Sequence, residues 1–247
     1  NYITALGYGE DSANFKKYWE GGRTLHVIGK GINRFHTVYW PAMLLSAGVA
    51  LPKEVFVHGY ITIDGQKISK TIGNVVDPVE LVKKYGTDPV RYYLLREIPS
   101  YEDGDFSVKK FEERYNGDLA NGIGNLVSRV ATLGEKLGVL DFDFSRDVEP
   151  STKIEIEKVF QEYETHMGEI RLNEALGVIW RLVSHADGFI NEKKPWALTD
   201  SPELKLVITN AAYVIGTIAN LLLPFLPGAS EKILAQIRKK KNSLEKI

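Results

Sequence analysis

Val57-His58-Gly59-Tyr60-Ile61-Thr62-Ile63-Asp64-Gly65-Gln66-Lys67-Ile68-Ser69-Lys70-Thr71 is the stretch on which the fold turns. β-Branched and aromatic residues crowd Val55–Ile63, and Asp64-Gly65 then supplies a turn. The pattern predicts a strand that runs into a polar loop. That loop carries Lys67 and Lys70, with Ser69 between them, Thr71 beside them and Gly73 close behind. Ammonium groups are compact charges with rotatable donors, and two of them flanked by hydroxyls make a mobile clamp for a polyphosphate. A lysine–serine–lysine string alone reads equally well as an exposed polar loop, so its surroundings decide.

Upstream, Leu25–Ile28 reads as another short strand, and Gly29-Lys30-Gly31-Ile32-Asn33-Arg34-Phe35-His36 follows it into a helix. Arg34 stands where a third glycine would complete a dinucleotide fingerprint, so that motif is excluded. The position is nevertheless where a doubly wound sheet binds ligands, beyond the carboxyl ends of its strands. The spacing predicts a helix over Asn33–Ser46, with Phe35, Val38, Tyr39 and Met43 on its apolar face and a bend at Pro41. Asp77-Pro78-Val79-Glu80 predicts a helix start with a capping box, Gly86 its end, and Asp88-Pro89 the next start.

Beyond about residue 105 the strand signals stop. Ser107–Leu137, Thr152–Gly168, Leu172–Asn191, Leu204–Leu223 and Ser230–Lys241 carry apolar residues at helical spacing. The short breaks between them favour an antiparallel bundle. The fold class is therefore α/β followed by all-α. At about 100° per residue, Phe111, Tyr115, Leu119, Ile123, Leu126, Val130 and Leu133 share one arc of the first helix. Asn121, Asn125 and Arg129 form a polar ridge beside that arc. Amide and guanidinium groups on such a ridge can read the edges of unstacked bases, or simply face solvent.

The chain has 247 residues, 44% hydrophobic and 26% charged, within the ordinary range of globular proteins. Lys+Arg total 31 and Asp+Glu 32, so no general cationic field exists and a nucleic acid would have to be gripped locally. There is no cysteine, which excludes disulfides, zinc knuckles and thiol catalysis within the chain and fits a reducing interior. The longest apolar run, Val214–Leu226, is broken by Gly216, Thr217, Asn220 and Pro224, short of the roughly 18 residues a membrane span needs. No signal peptide opens the sequence. Asn1-Tyr2-Ile3-Thr4-Ala5-Leu6-Gly7-Tyr8 has no initiator methionine and starts inside an apolar stretch, so it reads as the interruption of a longer chain.

Taken together, the order Gly-Lys, Phe-His, Trp-Pro-Ala, His-Gly-Tyr, Lys-x-Ser-Lys resembles the second half of a class I aminoacyl-tRNA synthetase, whose second signature is usually written Lys-Met-Ser-Lys-Ser. Within that class the sequence is most similar to the methionyl-tRNA synthetases. The words that carry the likeness are Asn1–Tyr8, Phe35–Ala42, Phe56–Tyr60, Asp88-Pro89-Val90-Arg91-Tyr92-Tyr93-Leu94, Asn121–Arg129 and Lys193-Lys194-Pro195-Trp196. They span about residues 1–226.

The resemblance implies a partial class I, Rossmann-like catalytic domain with its connector over residues 1–104, and an α-helical anticodon-binding bundle over 105–247. It implies ATP with Mg2+ as substrate, methionine and tRNA(Met) as partners, no zinc in this chain and a cytoplasmic, non-membrane setting. By matching positions, Lys67, Ser69 and Lys70 serve the ATP phosphates. Tyr2, Phe35 and His36 line the methionine pocket, where aromatic walls suit a polarizable thioether. Asn121, Asn125, Arg129, Pro195 and Trp196 face the anticodon. Two departures stand out: Gly31 replaces the family's usual acid after Gly-Lys, and the first signature, His-x-Gly-His, is absent. This polypeptide alone is therefore expected to be inactive in adenylate formation. Two other readings stay open, a non-catalytic tRNA-binding module of the same fold and a class I synthetase for an aliphatic amino acid.

Overall fold

The two short β-branched runs pair as their spacing suggests. β1 (Leu25–Gly29) lies parallel to β2 (Glu54–His58), with Leu25 opposite Glu54 and Gly29 opposite His58. The computed structural model describes residues 1–10, 12–69, 71, 73–136, 148–198 and 202–238. The chain divides into two units, Asn1–Ile61 with Tyr101–Gly104, and Thr62–Ser100 with Asp105–Ile247.

In the first unit, α1 (Tyr2–Ala5) and a π-helical turn (Phe15–Glu20) precede β1. Phe15, Trp19, Leu44 and Val49 form its core, joined by Ile3, Leu6 and Trp40. The expected helix over Asn33–Ser46 is a π turn (Phe35–Tyr39) followed by α2 (Trp40–Ser46). Pro41 has no amide to donate four residues back, and the hydrogen-bond ladder slips just before it. The helix also turns a different side inward: Leu44 and Trp40 pack into the core, while Phe35, Val38, Tyr39 and Met43 are exposed. The expected strand Val55–Ile63 is likewise two strands, β2 and β3 (Ile61–Ile63). Gly59 is the reason, since a Cβ there would lie 2.1 Å from the Glu102 carbonyl oxygen.

In the second unit, β3 turns into β4 (Gln66–Lys67), antiparallel, and β5 (Gly104–Phe106) lies on β3's other side. Asp64 (φ 48°) and Gly65 (φ 75°) are both left-handed, as a tight hairpin turn requires. The Asp105 carboxylate accepts from the Thr62 hydroxyl (2.6 Å) and the Gly65 amide (2.7 Å), which together hold it below its ordinary range. α3 (Pro78–Tyr85) is capped as expected, Asp77 accepting from the Val79 amide at 2.8 Å. Glu80, however, pairs with Lys83 at 2.7 Å instead of closing a capping box. α4 (Thr87–Glu97) follows Gly86, whose φ of 87° suits glycine.

The helical part comprises α5 (Val108–Arg114), a π segment (Tyr115–Gly124), α6 (Asn125–Lys136), α7 (Pro150–Gly168), α8 (Leu172–Lys193), α9 (Pro202–Leu222) and α10 (Pro227–Arg238). Leu126, Leu176, Ile179, Leu182, Ile190, Ile208, Ile215, Ile218 and Phe225 are among its most deeply buried large side chains. The π segment corrects the uniform 100° projection. Gly124 admits it, because an added Cβ would lie 2.9 Å from the carbonyl oxygen of Leu119, five residues back. The expected arc accordingly splits: Phe111 and Tyr115 pack with Ile63, Val90, Tyr93 and Phe106, whereas Ile123, Leu126, Val130 and Leu133 enter the bundle core.

α9 is more apolar than the run-length reading suggested. By length and composition it could cross a membrane (mean hydropathy 1.4), because its few polar breaks barely lower the average. Some 67% of that window is buried against neighbouring helices, as in the core helix of a bundle.

Asp88 does not cap its own helix. Its carboxylate accepts from the Ala229 amide (2.6 Å) in the first turn of α10. Arg91 donates to the carbonyls of Pro224 (2.6 Å) and Phe225 (3.0 Å), tying α4 to the start of the last helix.

Candidate functional site

Three groups of residues singled out by sequence can be built upward from their elements. The first lies in the first unit, against His26 of β1. Tyr2 sits at the start of α1 and His36 in the turn before α2, 34 residues apart, and their side chains are hydrogen-bonded (Oη to Nε2, 3.0 Å). The other imidazole nitrogen, Nδ1, lies 3.1 Å from the Ile32 carbonyl oxygen. A carbonyl only accepts, so Nδ1 carries a proton, and in neutral His36 Nε2 accepts the tyrosine proton.

Around this pair stand rings that sequence reading did not place in the site. His26 and Trp40 lie 4.8 and 5.2 Å from the Tyr2 ring, and Trp19 packs on Trp40 at 5.5 Å. Trp19 is held by its indole N–H on the Ala50 carbonyl (3.0 Å). Burial pushes the His26 imidazole below its usual value, and nearby His36 adds to the shift. A shared ring wall has no linear signature, which is why the sequence alone does not single out His26. Phe35 does not join the group: it is 59% exposed and meets Tyr39 at 5.6 Å.

The second group is the lysine loop after β4. Lys67 and Ser69 are bridged by a residue sequence reading passed over, Asn74. Its side chain donates to the Lys67 carbonyl (3.1 Å) and accepts from the Ser69 amide (2.9 Å). The Ser69 hydroxyl accepts from the Thr71 amide (3.3 Å). The loop is thus closed on its own backbone, leaving the Lys67 ammonium to solvent. Lys70 lies outside the described residues.

The third group is in the helices. Asn121, at the end of the π segment, and Asn125, at the start of α6, are exposed. One turn on, Arg129 donates to Asp187 (2.6 Å) and Asn191 (2.7 Å) of α8. Its guanidinium also lies over the Trp196 ring, 5.4 Å from the centroid. Lys194 (φ 46°) turns the chain after α8, Pro195 is buried and Trp196 is 53% exposed. Arg129, Pro195 and Trp196 therefore come together. Asp187 and Asn191, spaced i, i+4 on α8, are the partners that sequence reading missed. Among the described residues no cluster of three or more His, Asp or Glu could hold a metal.

Comparison with known proteins places this arrangement. A family model described as tRNA synthetases class I (M) matches residues 1–131. The chain belongs to the class I methionyl-tRNA synthetase family. A second model, the anticodon binding domain of methionyl tRNA ligase, matches residues 145–246. The methionine–tRNA ligase of Caldanaerobacter subterraneus subsp. tengcongensis is 44% identical over 245 residues, covering 96% of this chain and 38% of that protein. That of Thermotoga maritima is 40% identical over 248 residues, with the same coverage. The Mycobacterium tuberculosis methionyl-tRNA synthetase in complex with methionyl-adenylate superposes with a TM-score of 0.85 at 35% identity, over 95% of this chain and 48% of that one. The chain spans 38% of the length of these two ligases and 48% of the solved synthetase, and its fold is a class I catalytic part followed by a helical anticodon-binding region.

Proposed function

We propose that the polypeptide carrying this chain is a methionine–tRNA ligase, activating methionine with ATP and Mg2+ and transferring it to tRNA(Met) in the cytoplasm. The observation that carries the reading is the cluster of rings beside the Tyr2–His36 hydrogen bond. Aromatic walls with one polar hinge suit a thioether side chain, which is apolar but polarizable.

On this reading residues 1–104 serve activation and 105–247 serve tRNA selection. Lys67, Ser69 and Lys70 would meet the ATP phosphates, with Asn74 fixing the loop's shape. In such chemistry the protein contributes mainly positioning and charge stabilisation. Asn121, Asn125 and Arg129 would read anticodon bases, and Trp196, seated by Pro195 over the Arg129 guanidinium, would stack on one of them. The test is methionine-dependent ATP–pyrophosphate exchange by the full-length polypeptide, with and without Lys70→Ala. Loss of one well-placed donor should slow exchange about 10²–10³-fold, while the affinity for a stem-loop bearing CAU stays unchanged. Exchange indifferent to methionine, or unaltered in the variant, overturns the assignment.

A further inference from the structure

Segment Tyr101–Gly104 belongs to the first unit although it is some forty residues downstream in sequence. Its grip is made largely of backbone. The absent side chain of Gly59 lets the Glu102 carbonyl close in, the Gly104 amide donates to the Tyr60 carbonyl (2.9 Å), and Tyr101 packs edge-on against Phe56 at 5.2 Å. The Tyr60 amide donates in turn to the Asp103 carboxylate at 2.8 Å.

From that seat Asp103 reaches Lys30, the first residue past β1. The lysine Nζ donates to both carboxylate oxygens (2.7 and 2.6 Å) and stands 4.6 Å from the centre of the Tyr60 ring. Lys30 and the Tyr60 amide together hold the Asp103 carboxyl below its usual range. The two side chains are 44% and 51% exposed, and ion pairs this open contribute little to stability. What the pair does accomplish is geometric. A flexible four-carbon side chain is pinned at the sheet edge where ligands bind, with two of its three N–H donors occupied and one left over.

Gly31 fits the same picture. A Cβ there would lie 2.5 Å from the Tyr60 hydroxyl, so a side chain at position 31 is incompatible with Tyr60 as placed. The carboxylate that meets Lys30 at this edge is that of Asp103.

We propose that Asp103 is a positioning residue of the activation site. Through Lys30 and Tyr60 it aims one lysine N–H at an oxyanion of the substrates, either an ATP phosphate or the methionine carboxylate. The inference rests on the ligase reading above.

Pyrophosphate exchange by the full-length polypeptide tests it, comparing wild type, Asp103→Asn, Asp103→Glu, Lys30→Met and the Asp103→Asn/Lys30→Met double variant, with thermal unfolding of each. Releasing a charge-assisted contact should raise one substrate's KM about tenfold and leave the other's unchanged. A rise for ATP identifies the phosphate, and a rise for methionine the carboxylate. The double variant should be no worse than Lys30→Met alone, because both changes remove one contact, and Asp103→Glu should recover part of the loss. Both KM values unchanged, or a loss that follows a fall in Tm and adds in the double variant, overturns the proposal alone. A wild-type polypeptide without methionine-dependent exchange overturns it together with the ligase reading.

Discussion

Gly31 and Tyr60 compete for one volume, and this makes a residue-scale prediction with its own control. In Gly31→Ala the new Cβ meets the Tyr60 hydroxyl oxygen at 2.5 Å, while the next nearest atom is the ring carbon Cζ at 3.5 Å. Gly31→Ala should therefore swing the half-exposed Tyr60 ring away from Lys30, lowering exchange activity with little change in Tm, and Tyr60→Phe, which deletes only the oxygen, should restore the activity. Losses that simply add in the double variant would show that the collision is not the cause. At this scale legibility was uneven. Pro195-Trp196 is visible in the sequence because a proline after a helix marks a turn and the pair matches a family word, whereas the exposure of the indole is seen only in the structure. Asp187 and Asn191 are not visible, because polar residues at i, i+4 look like any solvated helix face until Arg129 is seen between them. Their grip also changes what Arg129 offers: two of its nitrogens are already engaged before any base arrives.

At the scale of elements, glycine and proline positions decided where periodicity failed. A single Gly124 lets a carbonyl five residues back approach, and a helix that reads as uniformly α becomes π over ten residues. In an ordinary exposed helix Gly→Ala stabilises by about 1 kcal/mol. Here Gly124→Ala should instead lower Tm, because its Cβ would sit 2.9 Å from the Leu119 oxygen; a stabilised variant would show the π turn to be dispensable. The hairpin at Asp64-Gly65 was legible outright, since both residues tolerate left-handed φ. Its lock, Asp105, lies forty residues away and was not. Because Thr62 and Gly65 depress the folded-state pKa of Asp105, its contribution to stability is present above about pH 4, the ordinary carboxylate value. That contribution is lost as pH falls through the lowered value. Tm followed from pH 7 to 3 should therefore drop less steeply in Asp105→Asn than in wild type, with equal acid slopes counting against the lock.

At the scale of the whole molecule, the sequence changes texture near residue 105, yet packing groups Thr62–Ser100 with the helices that follow. The difference has a physical source. α4 joins the bundle through Asp88, Arg91 and Arg96, and each addresses main-chain atoms: the Ala229 amide, the Pro224 and Phe225 carbonyls, and the Asn173 carbonyl at 3.2 Å. Carbonyls belong to every residue type and backbone N–H groups to all but proline, so no pattern at the receiving end announces the contact. Heritable change is filtered accordingly. Within Pro224–Ala229 these main-chain contacts ask nothing of the side chains, Gly228 excepted, where a Cβ would come within 3.3 Å of Asp88; Phe225 and Leu226 are held separately, by burial in the core. A one-residue insertion or deletion there would shift both carbonyls and the amide out of register at once. In this corner of the molecule, the tie to α4 is written in the count of residues and not in their letters.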